Sequence, residues 1–492
     1  MANLAAELVH RGSARRLVAG LAIVALSVAV GLAARQLPSA PPLLWLLAGP
    51  ALVLLIVMLT RSARVCLALL IFVDVLGFYL DSVDVGPVAL RTIDLFWFGL
   101  VLWVIVIRAA DGRASVRRIG QPQLAWWLIA LGISLFPIAV QSLGDATDPL
   151  VAWLRLVQTF SLLWLVPYAA RDNDDHEWVF GAVELALFVE ITRSVGDAVL
   201  RGDFADRLAG ANGPNTTGLL AALLIAAAVH APVPRRVPLR AAMLVAGATG
   251  LLMSRSLGAT AAIAATLGIF GLRRVVGAKQ STRNALLAPV RIVLLVVAAV
   301  AIGASFRSEN LPTSSGFQQS TTVHRAVLAT AGLELFAENP IAGVGWQRSP
   351  AVIDDPELNA QLRRRFGSAI NPEFLPDQNP TSVHNTYIQV AAEAGLIGLV
   401  TFLMLLFAAT RGIRGVLRSV RDDPPTYACA RCALVLLVVI LVWWNDNALF
   451  GAQPETVLAA TFLGLLAATP AVVRRVEEPP AVPAVPSRRA SA

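Results

Sequence analysis

Fourteen apolar runs, most of them near the length of one bilayer crossing, leave this chain few ways to fold in water. They centre in 17–34, 43–60, 65–80, 94–107, 124–140, 150–170, 177–200, 216–232, 238–253, 257–272, 288–306, 386–409, 430–449 and 456–473. A crossing helix needs about 20 largely apolar residues at ~1.5 Å rise each. The third, fourth and tenth runs are short, so about 12–14 spans are expected. Composition agrees, with 57% hydrophobic and 15% charged residues among 492, where a soluble chain carries roughly 25% charged. So little polarity also excludes a disordered scaffold. The expectation is an all-α polytopic membrane protein. Three cysteines (Cys66, Cys429, Cys432) are too few for a disulfide framework. Arg11, Arg15 and Arg16 precede the first run with no small-residue cleavage site after it, so that span is expected to be retained.

The net charge of +8 is best tested in the membrane loops, where basic residues mark the cytoplasmic side. With the N-terminus inside, the inner segments hold 27 basic residues. The short outer loops then hold five: Arg35, Arg91, Arg201, Arg207 and Arg255. That asymmetry predicts an N-in, C-in protein of the cytoplasmic membrane and removes nucleic acid as a partner. Four parts follow: a bundle of about 11 spans over 1–306, an outer-face loop domain over 307–383, three spans over 384–473, and a proline-rich cytoplasmic tail over 474–492. There is no P-loop or glycine-rich dinucleotide turn, so ATP-driven transport has no engine here.

Ionisable residues inside spans cost about 2.5–3.5 kcal/mol each near the bilayer centre and so mark structure or function. Glu190, Arg193 and Asp197 share one helix face, and Arg155 lies at a similar depth in the preceding span. They read either as an ion cluster fixing helix packing or as a polar cavity open to the outside. Asp74, Glu184 and Glu393 show no sequence-local partner. Arg255 stands in a tight Met253-Ser254-Arg255-Ser256 turn at the outer boundary, and Gly210-Ala211-Asn212-Gly213-Pro214-Asn215 is an outer loop dense in turn formers.

Val323-His324-Arg325 opens a helical pattern that should end at Asn339-Pro340, because the residue before proline is driven out of the helical region. Arg325 is expected in its first turn, and Gly343-Val344-Gly345-Trp346 as a flexible turn. His384-Asn385-Thr386-Tyr387 marks re-entry into the membrane, which places a histidine at the outer interface.

Three stretches together resemble the bacterial O-antigen ligase and O-antigen polymerase family. They are the Ser254-Arg255 turn; Arg325 with Phe336-Ala337-Glu338-Asn339-Pro340-Ile341-Ala342-Gly343-Val344-Gly345; and His384-Asn385-Thr386-Tyr387 with Glu393-Ala394-Gly395-Leu396-Ile397-Gly398. The Asn212–Asn215 loop is similar as well, whereas Ser256 stands where the family would have a small residue such as glycine. The resemblance implies a GT-C-like, inverting, metal-independent glycosyltransferase with no cofactor. Its donor would be a glycan on undecaprenyl diphosphate and its acceptor a hydroxyl on another glycan or lipid. Arg255 and Arg325 would hold the pyrophosphate, since arginine suits bidentate phosphate recognition, and His384 would be the general base. Asn385, Tyr387, Asn215, Arg155 and Arg193 would support the substrate site.

Rival readings remain at this level. Asp81, Asp84, Asp203 and Asp206 lie on the side required for a metal-dependent enzyme of the same class. The polar residues of the sixth and seventh spans would also suit a transporter or lipid-linked glycan flippase. Asp172-Asn173-Asp174 fits a helix cap better than a nucleotide-sugar site, and the Cys429/Cys432 pair fits packing better than zinc.

Overall fold

The computed structural model describes residues 63–77, 82–85, 88–111, 148–170, 172–202, 207–230, 237–277, 316–353, 356–366, 382–411, 417, 420, 421, 424–449, 451 and 453–477. The expected spans at 17–34, 43–60, 124–140 and 288–306 lie outside these residues, as do Asp81, Asp203 and Asp206. The other ten apolar runs fall on helices over most of their described residues. In order they give α1 (Ala63–Val75), α2 (Thr92–Asp111), α3 (Asp148–Phe160), α4 (Leu162–Ala169), α5 (Asn173–Arg201), α6 (Gly213–His230), α7 (Val237–Ser254) and α8 (Leu257–Gly277). The segment after residue 307 supplies α9 (Gly316–Glu338), α10 (Ser349–Ile353) and α11 (Pro356–Phe366). Three long helices close the chain: α12 (Thr386–Arg411), α13 (Pro424–Trp443) and α14 (Pro454–Glu477).

Among the described residues, five stretches are long and apolar enough to cross a membrane: Val151–Ala169, Gly213–His230, Val237–Ser254, Thr386–Phe407 and Pro425–Trp443. The chain is an all-α polytopic membrane protein. One addition breaks the all-helical pattern. Between α1 and α2, strands β1 (Ser82–Val85) and β2 (Val88–Arg91) pair antiparallel, Ser82 opposite Arg91 and Val85 opposite Val88.

The bundle core is aromatic and fully buried, with Phe160, Phe402, Trp443, Trp444, Phe180 and Phe462 all inside. Phe402 lies 6.4 Å from Phe160 and 5.8 Å from Trp444, so α3, α12 and α13 meet on one side chain. Small residues let α6 and its neighbours approach closely. A Cβ on Gly247 would stand 2.8 Å from Ile225, and one on Gly218 would stand 2.5 Å from the Ser256 side chain. Such glycine contacts let helix backbones approach where water supplies no driving force. Here they seat the Ser254-Arg255 turn against α6.

Two sequence expectations change in the segment after residue 307. The helix does stop at Glu338, ahead of Asn339-Pro340, but it begins at Gly316, so Arg325 lies well inside it rather than in its first turn. Nor is the Gly343–Trp346 turn flexible: it is pinned to α12 by an exchange of backbone hydrogen bonds. At Gly395 the α12 backbone leaves the helical region (φ 63°, ψ −165°). The Leu396 and Ile397 amides turn away from Ala392 and Glu393 and donate to the Pro340 carbonyl at 2.7 Å and the Ile341 carbonyl at 3.4 Å. The Ala392 and Glu393 carbonyls accept instead from the Val344 and Gly345 amides, each at 2.9 Å. Within a membrane every backbone group must be satisfied inside the protein, and this swap leaves none of these orphaned.

Both runs therefore need glycine. A Cβ on Gly395 would collide with the Ile341 carbonyl, and one on Gly343 with the Glu393 carbonyl. Gly395→Ala should lower the thermal unfolding midpoint in detergent. The backbone region alone costs about 1–3 kcal/mol for a side-chain-bearing residue, and the collision adds to it. Gly196→Ala, in a helix with open space around the new methyl, should leave the midpoint unchanged or slightly raised. Equal midpoints for the two variants would contradict the clamp.

Candidate functional site

The described functional side chains gather where α12 begins. Asn385 is the N-cap of that helix, its Oδ1 accepting from the Tyr387 and Ile388 amides at 3.1 Å. Its Nδ2 donates to the Asn445 carbonyl at 3.1 Å, while the Thr386 amide donates to the Trp444 carbonyl at 2.9 Å and the Thr386 hydroxyl to the Asn447 carbonyl at 2.9 Å. The polar Asn445-Asp446-Asn447 loop after α13 is thereby stitched to the residue after His384. Tyr387 has an architectural role, its hydroxyl donating to the Leu441 carbonyl at 3.0 Å and its ring resting on Phe402.

Asp446 is the centre of the cluster, and sequence reasoning missed it. It forms an ion pair with Arg325, reaching across from α13 to α9. It also rests against Gly258, three residues beyond Arg255, where any Cβ would collide with the Asp446 carboxylate. One carboxylate thus joins the helix of Arg325 to the start of the helix that follows Arg255. The signal was the polar triplet directly after Trp443-Trp444, at the end of a span. Arg255 itself has a left-handed backbone (φ 50°) between α7 and α8. Ser256, the residue that departs from the family pattern, accepts from the Ala259 amide at 3.4 Å and caps α8.

His384 is half-buried beside these groups. Its Nδ1 lies 2.8 Å from the Ser382 carbonyl. A carbonyl only accepts, so Nδ1 carries the proton and Nε2 is the basic nitrogen. The His324 ring is 6.3 Å away in an edge-on arrangement. Burial holds the His384 pKa below its ordinary 6.5; the Ser382 carbonyl opposes that shift, the Arg325 charge reinforces it and the Asp446 charge opposes it.

The other expected site residues lie behind or beside this centre. Asn215 accepts from Arg207 Nη2 at 2.8 Å, and Arg207 Nε donates to the Ser254 carbonyl at 3.0 Å, so the outer loop braces the Arg255 turn. Arg193 donates to the buried Glu190 at 2.6 and 3.0 Å, and Glu190 accepts from the Ala211 amide of that loop at 3.1 Å. This is a packing relay beneath the turn. Arg155 has a different partner from the one its depth suggests: a buried ion pair with Asp94, which Gln158 joins at 2.7 Å. Glu393, without a sequence-local charge partner, accepts from Ser349 Oγ at 2.5 Å, the Gln347 amide at 3.0 Å and Gln389 Nε2 at 3.1 Å. Asp172 caps α5 by accepting from the Asp175 amide at 2.8 Å, and all three cysteines are buried and in no disulfide. Among the described residues no group of three or more His, Cys, Asp or Glu could hold a metal ion.

Residues 242–403 match the protein family described as O-antigen ligase. This stretch of the chain is an O-antigen ligase family domain. The match begins in α7 and ends in α12, enclosing Arg255, Arg325 and His384. Asp446, which ties them together, lies beyond it. No curated protein matches the chain.

If His384 Nε2 works as a base, the acid limb of transfer activity should lie below pH 6.5, because the histidine must be neutral. Removing the Arg325 charge with Arg325→Gln should move that limb up in pH. Removing the Asp446 charge with Asp446→Asn should move it down. Residual kcat/KM against pH checks both signs, and displacements in the same direction would contradict the arrangement.

Proposed function

We propose that this O-antigen ligase family protein transfers a glycan from an undecaprenyl-diphosphate carrier to an acceptor hydroxyl at the outer face of the cytoplasmic membrane. The observation that supports this most is the His384–Ser382 hydrogen bond, which leaves a basic Nε2 beside Arg325. The acceptor oxygen attacks the anomeric carbon as Nε2 takes its proton. The bond from that carbon to the diphosphate oxygen breaks, and the diphosphate leaves with the electron pair. Attack opposite the leaving group inverts the anomeric configuration.

Arg325 and Arg255 stabilise the charge that grows on the departing diphosphate. A guanidinium has five donors, so the pair with Asp446 orients Arg325 while leaving N–H groups for phosphate. Asp446 is thus a positioning residue. No metal enters this scheme. The acceptor, a glycan in a polymerase or a lipid-linked core in a ligase, enters from the side of Nε2.

Transfer from purified donor lipid in detergent is the direct test. His384→Ala should lower turnover by ~10²–10⁴-fold with donor binding nearly intact. Arg255→Ala and Arg325→Ala should weaken binding and turnover together, and lysine at either position should restore only part, since it keeps charge without the two-pronged geometry. Excess EDTA should leave wild-type transfer in place. A His384→Ala protein with a normal melting profile and near-normal transfer would remove the proposed base.

The outer placement has its own test. Cysteines introduced at Glu357 and Arg364, in α11, should react with a membrane-impermeant reagent in intact cells, and one at Arg421 should react only after lysis. The reverse pattern would overturn the side assignment.

A further inference from the structure

Of the four exposed side chains described on α9, three are apolar, the exception being Glu338 at its last position. Val327, Leu328, Ala331 and Leu335 are buried on one side, together with Val383 and Ala392. On the opposite side the exposed residues Ala326, Leu333 and Ala337 fall at i, i+7 and i+11 and are all apolar. Leu333 is 53% exposed, and just past the helix end Ile341 is 68% exposed. The polar flank lies elsewhere, where Glu334 pairs with Arg365 of the arginine-rich α11 at 3.3 Å.

The exposed apolar surface continues onto a membrane span. α12 presents Leu396, Ile397, Val400, Leu403, Met404 and Phe407 as an exposed strip, within a stretch that qualifies as a crossing. Pro340 and Ile341 are hydrogen-bonded directly to Leu396 and Ile397, at the outer end of that strip. Ile341, just past the end of α9, thus adjoins the exposed strip of α12.

We propose that α9 lies half-sunk in the bilayer, with Leu333, Ala337 and Ile341 against lipid acyl chains and Glu334 on the water side. Continuity with the α12 strip selects lipid as the occupant, since a second protein copy would have to cover the membrane-spanning strip as well. An apolar stripe on an otherwise polar segment is what an interfacial helix presents. Because Arg325 immediately precedes Ala326, this posture holds the guanidinium at headgroup depth. The inference requires only that α12 spans the bilayer and is independent of the proposed transfer.

Spin labels on the full-length protein in nanodiscs of phosphatidylethanolamine and phosphatidylglycerol test it without any activity assay. Leu333→Cys, Ala337→Cys and Ile341→Cys are compared with Met404→Cys as the lipid reference and Glu357→Cys as the water reference, after subtracting the signal of the parent chain. Labels at 333, 337 and 341 should collide several-fold more with oxygen, relative to a water-soluble nickel complex, than the label at 357 does. Ala337→Cys exchanges one small residue for another and keeps the test decisive if a larger replacement unfolds. Ratios matching position 357 would overturn the proposal. So would labels shielded from both reagents, which would show protein covering the face.

Discussion

The backbone exchange at Gly395 is the constraint on which the rest of the site depends. Breaking a helix inside a membrane frees two amides and two carbonyls, each costly to leave unpaired. The chain meets that cost with the four peptide groups of Pro340, Ile341, Val344 and Gly345, all on one short turn. The turn can bond in register only if α9 ends just before it, which Asn339-Pro340 ensures. Fixing the turn fixes the C-terminal end of α9, and with it the helix that carries Arg325. Glu393 reinforces the clamp from within, binding the Gln347 amide and the Ser349 hydroxyl. The two most recognisable sequence runs are therefore largely architectural.

Electrostatics does the second part of the assembly. Asp446 pairs with Arg325 on α9 and rests against Gly258 at the start of α8, so one carboxylate ties these two helices together. A partly buried ion pair of this sort contributes little net stability, because desolvation offsets much of the attraction. Its value is in geometry: it fixes the guanidinium with donors to spare. The same charge opposes the pull of burial on His384, so one carboxylate acts on both the histidine and Arg325.

What the sequence revealed divides along a physical line. The apolar runs within the described residues, the stop at Asn339-Pro340 and the cap at Asp172 were legible because apolar length and capping chemistry are local. The pinning of Gly343–Trp346 was not, because its partners are four backbone groups of another helix, and backbone groups carry no residue-type signal. Arg155 shows a different limit. Its depth along a span can be counted, but the direction it faces between helices cannot, and it turned to Asp94 rather than toward Glu190. Asp446 escaped notice because its partners come from α9 and α8, neither adjacent in sequence. His384, Arg255 and Arg325 were found by family resemblance, and the structure brings their segments together.

The break at Gly395 also shortens the hydrophobic ruler of α12. From Leu396 to Arg411 the second part of the helix has 16 residues, about 24 Å at 1.5 Å per residue, against a hydrocarbon core of about 30 Å. A span that falls short is accommodated by thinning the bilayer around it. If α9 lies at lipid depth as proposed, Ile341 and Leu333 supply part of the missing height, and the rest is met by thinning of the surrounding leaflet. A lipid-borne donor of the proposed kind would then approach the start of α12 by following the membrane's own contour.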